Sequence, residues 1–340
     1  MNPFIRKHFS YLALLVTLIA LPFVIALLTG EPLNKGLPLF TQGLMVQVYI
    51  LAVFALSYDI LMGHIGILSF GHALFFGTGA YTLGILLKYG HWSLPAAIGA
   101  VIVIAALESL LIGVLSLRVH GVYFAMVTLA FATVAFILVE ATDFKQWTGA
   151  EDGLHGVPIP EAISPTLHRT EFYFLALAFA VGIYLLVRLF VDSPAGRVWA
   201  AIRENEARAT SIGYNTLVWK VQATMVSGII AALAGALNAL WNLSATPQTM
   251  EVGTTINALL MAIIGGSGTI IGPMLGAGVL QLLGYFLNLW LGSVWQLVFG
   301  LIYILLVLFV PYGIVGTWNA KNLGWRKAWA ERLEKLSAKK

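Results

Sequence analysis

Cysteine is absent from this chain of 340 residues, and charged residues make up only 10% of it. The lack of cysteine excludes disulfides, thiol nucleophiles and thiolate metal sites. No lysine follows a glycine, so the chain lacks the phosphate-binding loop G-x-x-x-x-G-K-[ST]. We therefore do not expect this chain to hydrolyse ATP by itself.

Apolar residues, by contrast, make up 59% of the sequence. An ordinary globular domain is about 45–50% apolar and about 25% charged, so a soluble fold would have too little polar surface to cover its core. The composition predicts an all-α polytopic membrane protein. Apolar runs predict about ten transmembrane helices, near residues 10–29, 43–62, 67–87, 94–116, 121–140, 172–191, 219–241, 254–265, 271–290 and 294–311.

The basic residues predict the orientation of these spans. With a cytoplasmic N-terminus, 15 of the 19 Lys and Arg residues fall on the cytoplasmic side, seven of them in the C-terminal tail. This distribution explains the pI near 9.2 by membrane orientation rather than by binding to nucleic acid. We predict a transmembrane domain over 1–316, with an external loop at 141–171 and a cytoplasmic loop at 192–218, and a basic cytoplasmic tail over 317–340.

Two of the predicted spans are interrupted by glycines. Residues 59–79 read DILMGHIGILSFGHALFFGTG, and residues 257–278 read NALLMAIIGGSGTIIGPMLGAG. Glycine-interrupted spans in the two halves of a transporter indicate helices broken where backbone lines a path. The alternative is that each small residue only lets neighbouring helices approach closely. For a single glycine we favour close packing, and for the paired interruption we favour a path.

Two carboxylates, Asp59 and Glu108, lie inside apolar runs, where ionisable residues are functional candidates. Asp59 precedes the first glycine break, so we expect it to accept hydrogen bonds from freed backbone N–H groups. Glu108 faces either a polar path or a partner. His64 and His72 have no carboxylate or third histidine at ligand spacing, so we expect no metal site.

Gly265-Gly266-Ser267-Gly268 resembles the G-x-S-G sequence of rhomboid-type intramembrane proteases. That chemistry needs a histidine base on a later helix. The last histidine of the chain is His168, so no base follows Ser267. The sequence therefore argues against a protease.

The internal loop predicts a short charged helix. It reads DSPAGRVWAAIRENEARATSIGYNTLVWK over 192–220, and we expect a helix from Ala200 to Ile212 that ends at Gly213 as a C-cap. A solvated connector is the alternative. Because the chain lacks its own ATPase, we favour a helix that docks on one, similar to the EAA-type coupling helix of ABC-transporter permeases.

Four segments in order carry a wider resemblance: GHIGILSFGHALFFGTGAY, AIRENEARATSIGYN, AALAGAL and LLMAIIGGSGTIIGPMLGA. They are similar to the successive motifs of LivM-type permeases of branched-chain amino acid ABC transporters, and the resemblance covers about residues 43–311. It implies an importer for leucine, isoleucine or valine in the prokaryotic cytoplasmic membrane. It also implies four partners: two cytoplasmic ABC ATPase subunits that bind ATP and Mg, a second permease subunit of the LivH type, and an external substrate-binding protein.

The resemblance also implies roles for particular residues. ATPase coupling falls on Arg203, Glu204, Glu206, Ala207, Arg208 and Gly213. The translocation path falls on Asp59, Gly63, Gly66, Ser69, Gly71, His72, Asn257, Gly265 and Gly268. Asp59 and Asn257 depart from the residues most common in the family, asparagine and an acidic residue respectively.

Two alternatives remain open at the level of sequence. Relatives in the same family move urea, short amides or other amino acids. An ion-driven secondary transporter would need no ATPase and would use Asp59 and Glu108 as coupling carboxylates. The 192–218 loop discriminates between these classes, because an ion-driven carrier needs no coupling helix.

Overall fold

The computed structural model describes residues 3–119 and 121–294, together with 297–298, 300–301, 303–304 and 313–317. This part of the chain is almost entirely helical. Its helices are α1 (Pro3–Thr29), α2 (Gly36–Asp59), α3 (His72–Lys88), α4 (Leu94–Ser116), α5 (Val122–Glu140), α6 (Lys145–Thr148), α7 (Arg169–Asp192), α8 (Pro194–Glu204), α9 (Glu206–Ser211), α10 (Thr216–Asn242), α11 (Val252–Gly265) and α12 (Ile271–Leu291).

Within the described residues, seven helices are long and apolar enough to cross a membrane: α1, α2, α4, α5, α7, α10 and α12. This confirms the prediction of an all-α multi-pass membrane protein. The predicted span 254–265 is α11, whose 14 residues reach only about 21 Å, less than the roughly 30 Å of a bilayer core. Most of the predicted tenth span, 294–311, and all of the tail, 317–340, except residue 317 lie outside the described residues.

α2 and α10 form the centre of the bundle. In an apolar 18-residue stretch of each, 78% and 72% of the residues are buried, against 28% or less in the corresponding stretch of α4, α5, α7 and α12. The outer helices turn large apolar side chains outward, such as Leu107, Ile137 and Leu189, which are 62%, 58% and 75% exposed. Apolar outward faces on apolar helices are what a lipid environment selects.

Glycines bring α3 and α10 into backbone contact. A side chain at Gly79 would overlap the carbonyl of Ala232, and one at Gly235 would overlap the carbonyl of Phe76. Small residues at such crossings allow the close packing that holds helices together in a bilayer. The AALAGAL segment, residues 231–237, therefore packs the centre of the fold.

The loops define two ends of the bundle. β1 (Leu154–His155) pairs antiparallel with β2 (Ser244–Ala245), which follows α10. The loop 141–168 and the C-terminal end of α10 therefore share one end. Because α10 crosses the bundle, residues 193–215, which precede it, lie at the other. We refer to these as the 141–168 end and the 193–215 end.

Candidate functional site at the glycine breaks

The first glycine break lies at the 193–215 end of α2. After Asp59 the helix widens into a π-helical turn over Ile60–Ile65 and stops at Gly66, whose φ of 82° is left-handed. The amide of Ile67 then donates to the carbonyl of Leu61 at 2.8 Å. Glycine adopts such a φ without the steric penalty of a Cβ. The chain stays non-helical until α3 begins at His72, which confirms the predicted interruption.

The second break separates α11 from α12. α11 ends at Gly265, and the positive φ angles of Gly266 and Gly268, 116° and 78°, turn the chain back. Inside the turn, the hydroxyl of Thr269 donates to the carbonyl of Gly266 at 2.5 Å. α12 then begins at Ile271. This break is also where the glycine pattern predicts it.

The two breaks meet at Asp59, whose side chain is fully buried. The amide of Gly268 donates to both carboxylate oxygens, at 3.0 and 3.1 Å. Asp59 therefore binds a freed backbone N–H, as the sequence suggests, but that of the opposite break. A Cβ at Gly63 would overlap both the Asp59 carboxylate and the Gly268 amide, so this contact requires glycine at 63.

Arg203, in the last turn of α8, reaches across to both breaks. Its Nη1 donates to the carbonyl of Gly63. A Cβ built at Gly66 would lie 3.0 Å from Arg203 Cγ, and one at Gly268 would lie 2.7 Å from Arg203 Nη1. Arg203, one of the predicted coupling residues, is exposed, yet its side chain contacts both breaks. We call Asp59, Gly63, Gly66, Arg203 and Gly268 the break cluster.

His64 borders the break cluster. Its Nε2 lies 3.7 Å from Asp59 Oδ2, and both side chains lie within the field of the Arg203 guanidinium. Together with His64, the cluster thus brings one carboxylate, one guanidinium and one imidazole close together. Asp59 is fully buried, whereas Arg203 keeps an exposed surface at the edge of the cluster. These side chains bind the two glycine breaks to each other, so they are occupied by contacts within the chain.

Two predicted path glycines lie at helix contacts away from the break cluster. A side chain at Gly71 would overlap the carbonyl of Thr128 in α5, and one at Gly265 would overlap the carbonyl of Gly272 in α12. The alternative of close packing therefore describes these two positions. The paired interruption and the packing glycines coexist in the same segments.

Ser69, His72 and Asn257 also lie outside the cluster. Ser69 is buried, and its hydroxyl accepts from the Gly71 amide at 3.3 Å. His72 is buried completely, stacks on Phe54, and places Nε2 2.9 Å from the Ser57 hydroxyl. His72 therefore packs in the core between α2 and α3. Asn257 is exposed on α11, which turns it towards the outside of the bundle.

Glu108 turns inward from α4. Its Oε1 accepts from the hydroxyl of Thr78 in α3 at 3.0 Å. Its Oε2 is buried and makes no hydrogen bond within the described residues. The side chain thus contacts the core of its own chain rather than the outer surface of the bundle.

The loop at the 193–215 end contains two helices where the sequence analysis predicts one over 200–212. α8 starts at Pro194, capped by Ser193, and α9 starts at Glu206. Asn205 separates them, because its side chain accepts from the Arg208 amide at 2.9 Å and caps α9. Serine before proline and a mid-segment asparagine are helix-start signals that a search for glycines passes over.

The end of α9 follows the prediction. Gly213 has a φ of 97°, its amide donates to Thr210, and the Tyr214 amide donates to Ala209 at 3.2 Å. These two bonds form the Schellman motif that ends many helices. A Cβ at Gly213 would have nothing within 4 Å, so the requirement for glycine there is conformational.

The remaining coupling residues divide into two groups. Glu204, Ala207 and Arg208 are exposed at the tip of the loop. Glu206 instead pairs within the chain, where its Oε1 lies 2.5 Å from Lys220 Nζ at the start of α10. The loop thus has an inner side, which contacts α10 and the break cluster, and an outer side, which carries exposed charges.

Known proteins resemble this chain over most of its length. The family described as branched-chain amino acid transport system, permease component, matches residues 40–310. The high-affinity branched-chain amino acid permease LivM of Escherichia coli K12 is 25% identical over 300 residues, 80% of this chain and 67% of that protein. LivM of Salmonella typhimurium LT2 is 26% identical over 308 residues, 81% of this chain and 67% of that protein.

The likeness extends to permeases with other cargo. The ribose import permease RbsC of Haemophilus influenzae is 31% identical over 140 residues, 39% of this chain and 38% of that protein. No solved structure matches the chain. Because the family match spans well over half of the sequence, the chain belongs to the family of permease components of branched-chain amino acid transport systems.

Proposed function

We propose that this protein is a permease subunit of an ABC importer that carries leucine, isoleucine and valine across the prokaryotic cytoplasmic membrane. The observation that carries the proposal is the position of the α8–α9 loop. One side of the loop contacts the break cluster through Arg203, and its other side exposes Glu204, Ala207 and Arg208. A loop that joins a docking face to a helix break suits a subunit driven by a separate ATPase.

Two ABC ATPase subunits would bind the outer side of this loop in the cytoplasm. ATP and Mg would be held by those subunits, in keeping with the absence of a phosphate-binding loop from this sequence. The positive-inside distribution supports this orientation, with both termini cytoplasmic. The chain itself is then a transporter subunit and not an enzyme.

The 141–168 end would face the external substrate-binding protein. A second permease subunit of the LivH type would complete the translocation path. Asn257, which is exposed on α11, would face that path. The LivM relatives favour branched-chain amino acids as the cargo. Urea, short amides and other amino acids are the alternatives within the family.

An ion-driven carrier is less well supported by the geometry. Such a carrier needs carboxylates that exchange ions or protons with water. Asp59 is fully buried and bonded to Gly268, and Glu108 is bonded to Thr78 in the core. Neither carboxylate lines an open route in the described residues.

The test is to place a large side chain on the outer side of the loop. In the transporter co-expressed with its ATPase subunits, Ala207→Trp should abolish co-purification of the ATPase and uptake of labelled leucine, because a groove that fits the loop has no room for an indole. Leu189→Trp, on the outward face of α7, is the matched control and should retain both. Wild-type association and uptake in Ala207→Trp would refute the docking role.

The substrate needs its own measurement. Uptake of leucine, isoleucine and valine by the intact transporter should compete with one another and should be unaffected by excess urea or ribose. Leucine uptake that is absent while another solute is transported would retain the permease function and overturn the proposed cargo.

A further inference from the structure

We propose that Arg203 is a positioning residue that clamps the two glycine breaks together and links them to the α8–α9 loop. The inference rests on the proposed function for the motion that would release the clamp, but the clamp itself is a property of this chain. Three elements distant in sequence converge on it: the end of α2, the end of α8 and the turn between α11 and α12.

Arg203 lies on the outer side of the break cluster, and the buried Asp59 lies on its inner side. The Gly268 amide binds the Asp59 carboxylate from one break, and the Arg203 guanidinium binds the Gly63 carbonyl of the other. Gly63 is packed between the Asp59 carboxylate and the Gly268 amide. Removing the Arg203 side chain would therefore leave the Gly63 carbonyl of the first break without its donor. It would also remove the positive charge nearby that compensates the Asp59 carboxylate, which holds Gly268 of the second break.

Arginine suits this position better than lysine. Its guanidinium presents several N–H donors in a fixed plane, and its stem can lie along a backbone. Arg203 uses both properties, since its Cγ lies against Gly66 while Nη1 reaches Gly63 and the neighbourhood of Gly268. The glycines at 66 and 268 leave the space that the side chain occupies.

The arrangement is suited to having two states. The positive φ angles of Gly66 and Gly268 mark places where the backbone bends without helical hydrogen bonds, and hinge motions are absorbed at a few residues of this kind. A displacement of α8 away from the bundle would withdraw Arg203 from Gly63. The breaks would then be held only by the bonds between Asp59 and the second break.

Cysteine labelling tests the clamp directly, because the chain has no native cysteine. Ser69→Cys is the reporter, since Ser69 lies in the non-helical segment of the first break and is only 2% exposed. Ser109→Cys, at a fully buried serine in α4 away from the breaks, is the control reporter. Each is labelled with a soluble maleimide on the full chain in nanodiscs, where both ends are accessible.

We expect Arg203→Gln to raise the labelling rate of Ser69→Cys about fivefold or more, the lower range of a typical coupling between sites, and to leave Ser109→Cys unlabelled. Arg197 is also an exposed arginine of α8, and its side chain makes no hydrogen bond with the breaks within the described residues, so Arg197→Gln should change neither rate. An unchanged rate at Ser69→Cys in Arg203→Gln would overturn the clamp. Labelling of both reporters would show general unfolding and would also overturn it.

A second variant tests the pairing with Asp59. If Arg203 compensates the buried charge, then adding Asp59→Asn to Arg203→Gln should lower the labelling rate of Ser69→Cys. The rate should return towards the value measured when Arg203 is present. A rate unchanged or raised further by Asp59→Asn would overturn the electrostatic part of the inference.

In the assembled transporter, Arg203→Gln should still co-purify with the ATPase subunits but should hydrolyse ATP without matching leucine uptake. Because labelling is measured on this chain alone, failure of the clamp and failure of the proposed function give separate results. Loss of ATPase association in wild type and variant alike would refute the proposed function and leave the labelling result standing. Uptake that stays coupled to ATP hydrolysis in Arg203→Gln would refute the link between the clamp and the α8–α9 loop.

Discussion

Asp59 and Gly268 lie 209 positions apart in the sequence, and the amide of Gly268 donates to both oxygens of the Asp59 carboxylate. A carboxylate bound by backbone N–H groups stays charged at a lower free energy than an unpaired buried carboxylate. The pair joins the end of α2 to the turn between α11 and α12.

Gly63→Ala should destabilise the protein, because the new Cβ overlaps the Asp59 carboxylate and the Gly268 amide. Overpacking of this kind costs about 1–3 kcal/mol. Gly182→Ala in α7, where a Cβ meets nothing within 4 Å, is the control and should be neutral or slightly stabilising. Thermal unfolding of the purified protein measures both. Equal melting temperatures for the two variants would contradict the close contact.

Thr78→Val should lower the free energy of unfolding more than Glu108→Gln does, and thermal unfolding of the two variants measures the difference. The valine removes the only donor that the structure shows for the Glu108 carboxylate and leaves a buried charged group without a hydrogen bond, at a cost of about 1–3 kcal/mol. The glutamine keeps an oxygen that accepts from Thr78, so assembly should survive and uptake should fall modestly. Complete loss of uptake in Glu108→Gln, with normal ATP hydrolysis, would instead favour an ion-coupling role.

Asn205→Ala should loosen the start of α9, because it removes the side-chain oxygen that accepts from the Arg208 amide. Loss of an N-cap costs about 1 kcal/mol. Asn205→Asp retains a capping oxygen and is the matched control. Hydrogen exchange at the amides of residues 207–209 reads out the difference: faster exchange is expected in the alanine variant, and equal exchange in both variants would argue against the cap.

Single cysteines at Asp152 and Glu204 should be labelled from opposite faces of intact cells. Both positions are exposed, one in the 141–168 loop and the other at the end of α8. The positive-inside rule places Glu204 on the cytoplasmic face. An impermeant maleimide should therefore reach Asp152→Cys from outside and Glu204→Cys only after permeabilisation. Labelling of both from the same face would refute the topology.

Local patterns in the sequence predicted the interruptions themselves. Glycines at 66 and 268 indicate turns because backbone with positive φ favours that residue, and Gly213 ends α9 for the same reason. The contact between the breaks was not predictable, because no local pattern records that residues 209 positions apart meet. The contact of Arg203 with Gly63 was missed for the same reason, and also because a charged residue in a loop usually contacts only water.

Two other features gave weaker signals. The division of the loop at Asn205 could have been predicted from the preference of asparagine for N-cap positions. The pairing of Leu154 with Ala245 involves only two residues per strand, too few to produce the alternation by which strands are recognised. Such pairings follow from the assembled bundle rather than from either segment.

The short β-ladder at the 141–168 end attaches the loop to the bundle. Leu154 pairs with Ala245, the Val157 amide donates to Leu243, and Lys88 Nζ donates to the carbonyl of His155 at 2.7 Å. The loop is thereby fastened to the ends of α10 and α3, which are themselves locked backbone to backbone. α10 continues from there for 27 residues, about 40 Å, to the loop that holds Lys220 and Glu206 together. α10 is therefore an unbroken helix that joins the fastened 141–168 loop to the α8–α9 loop.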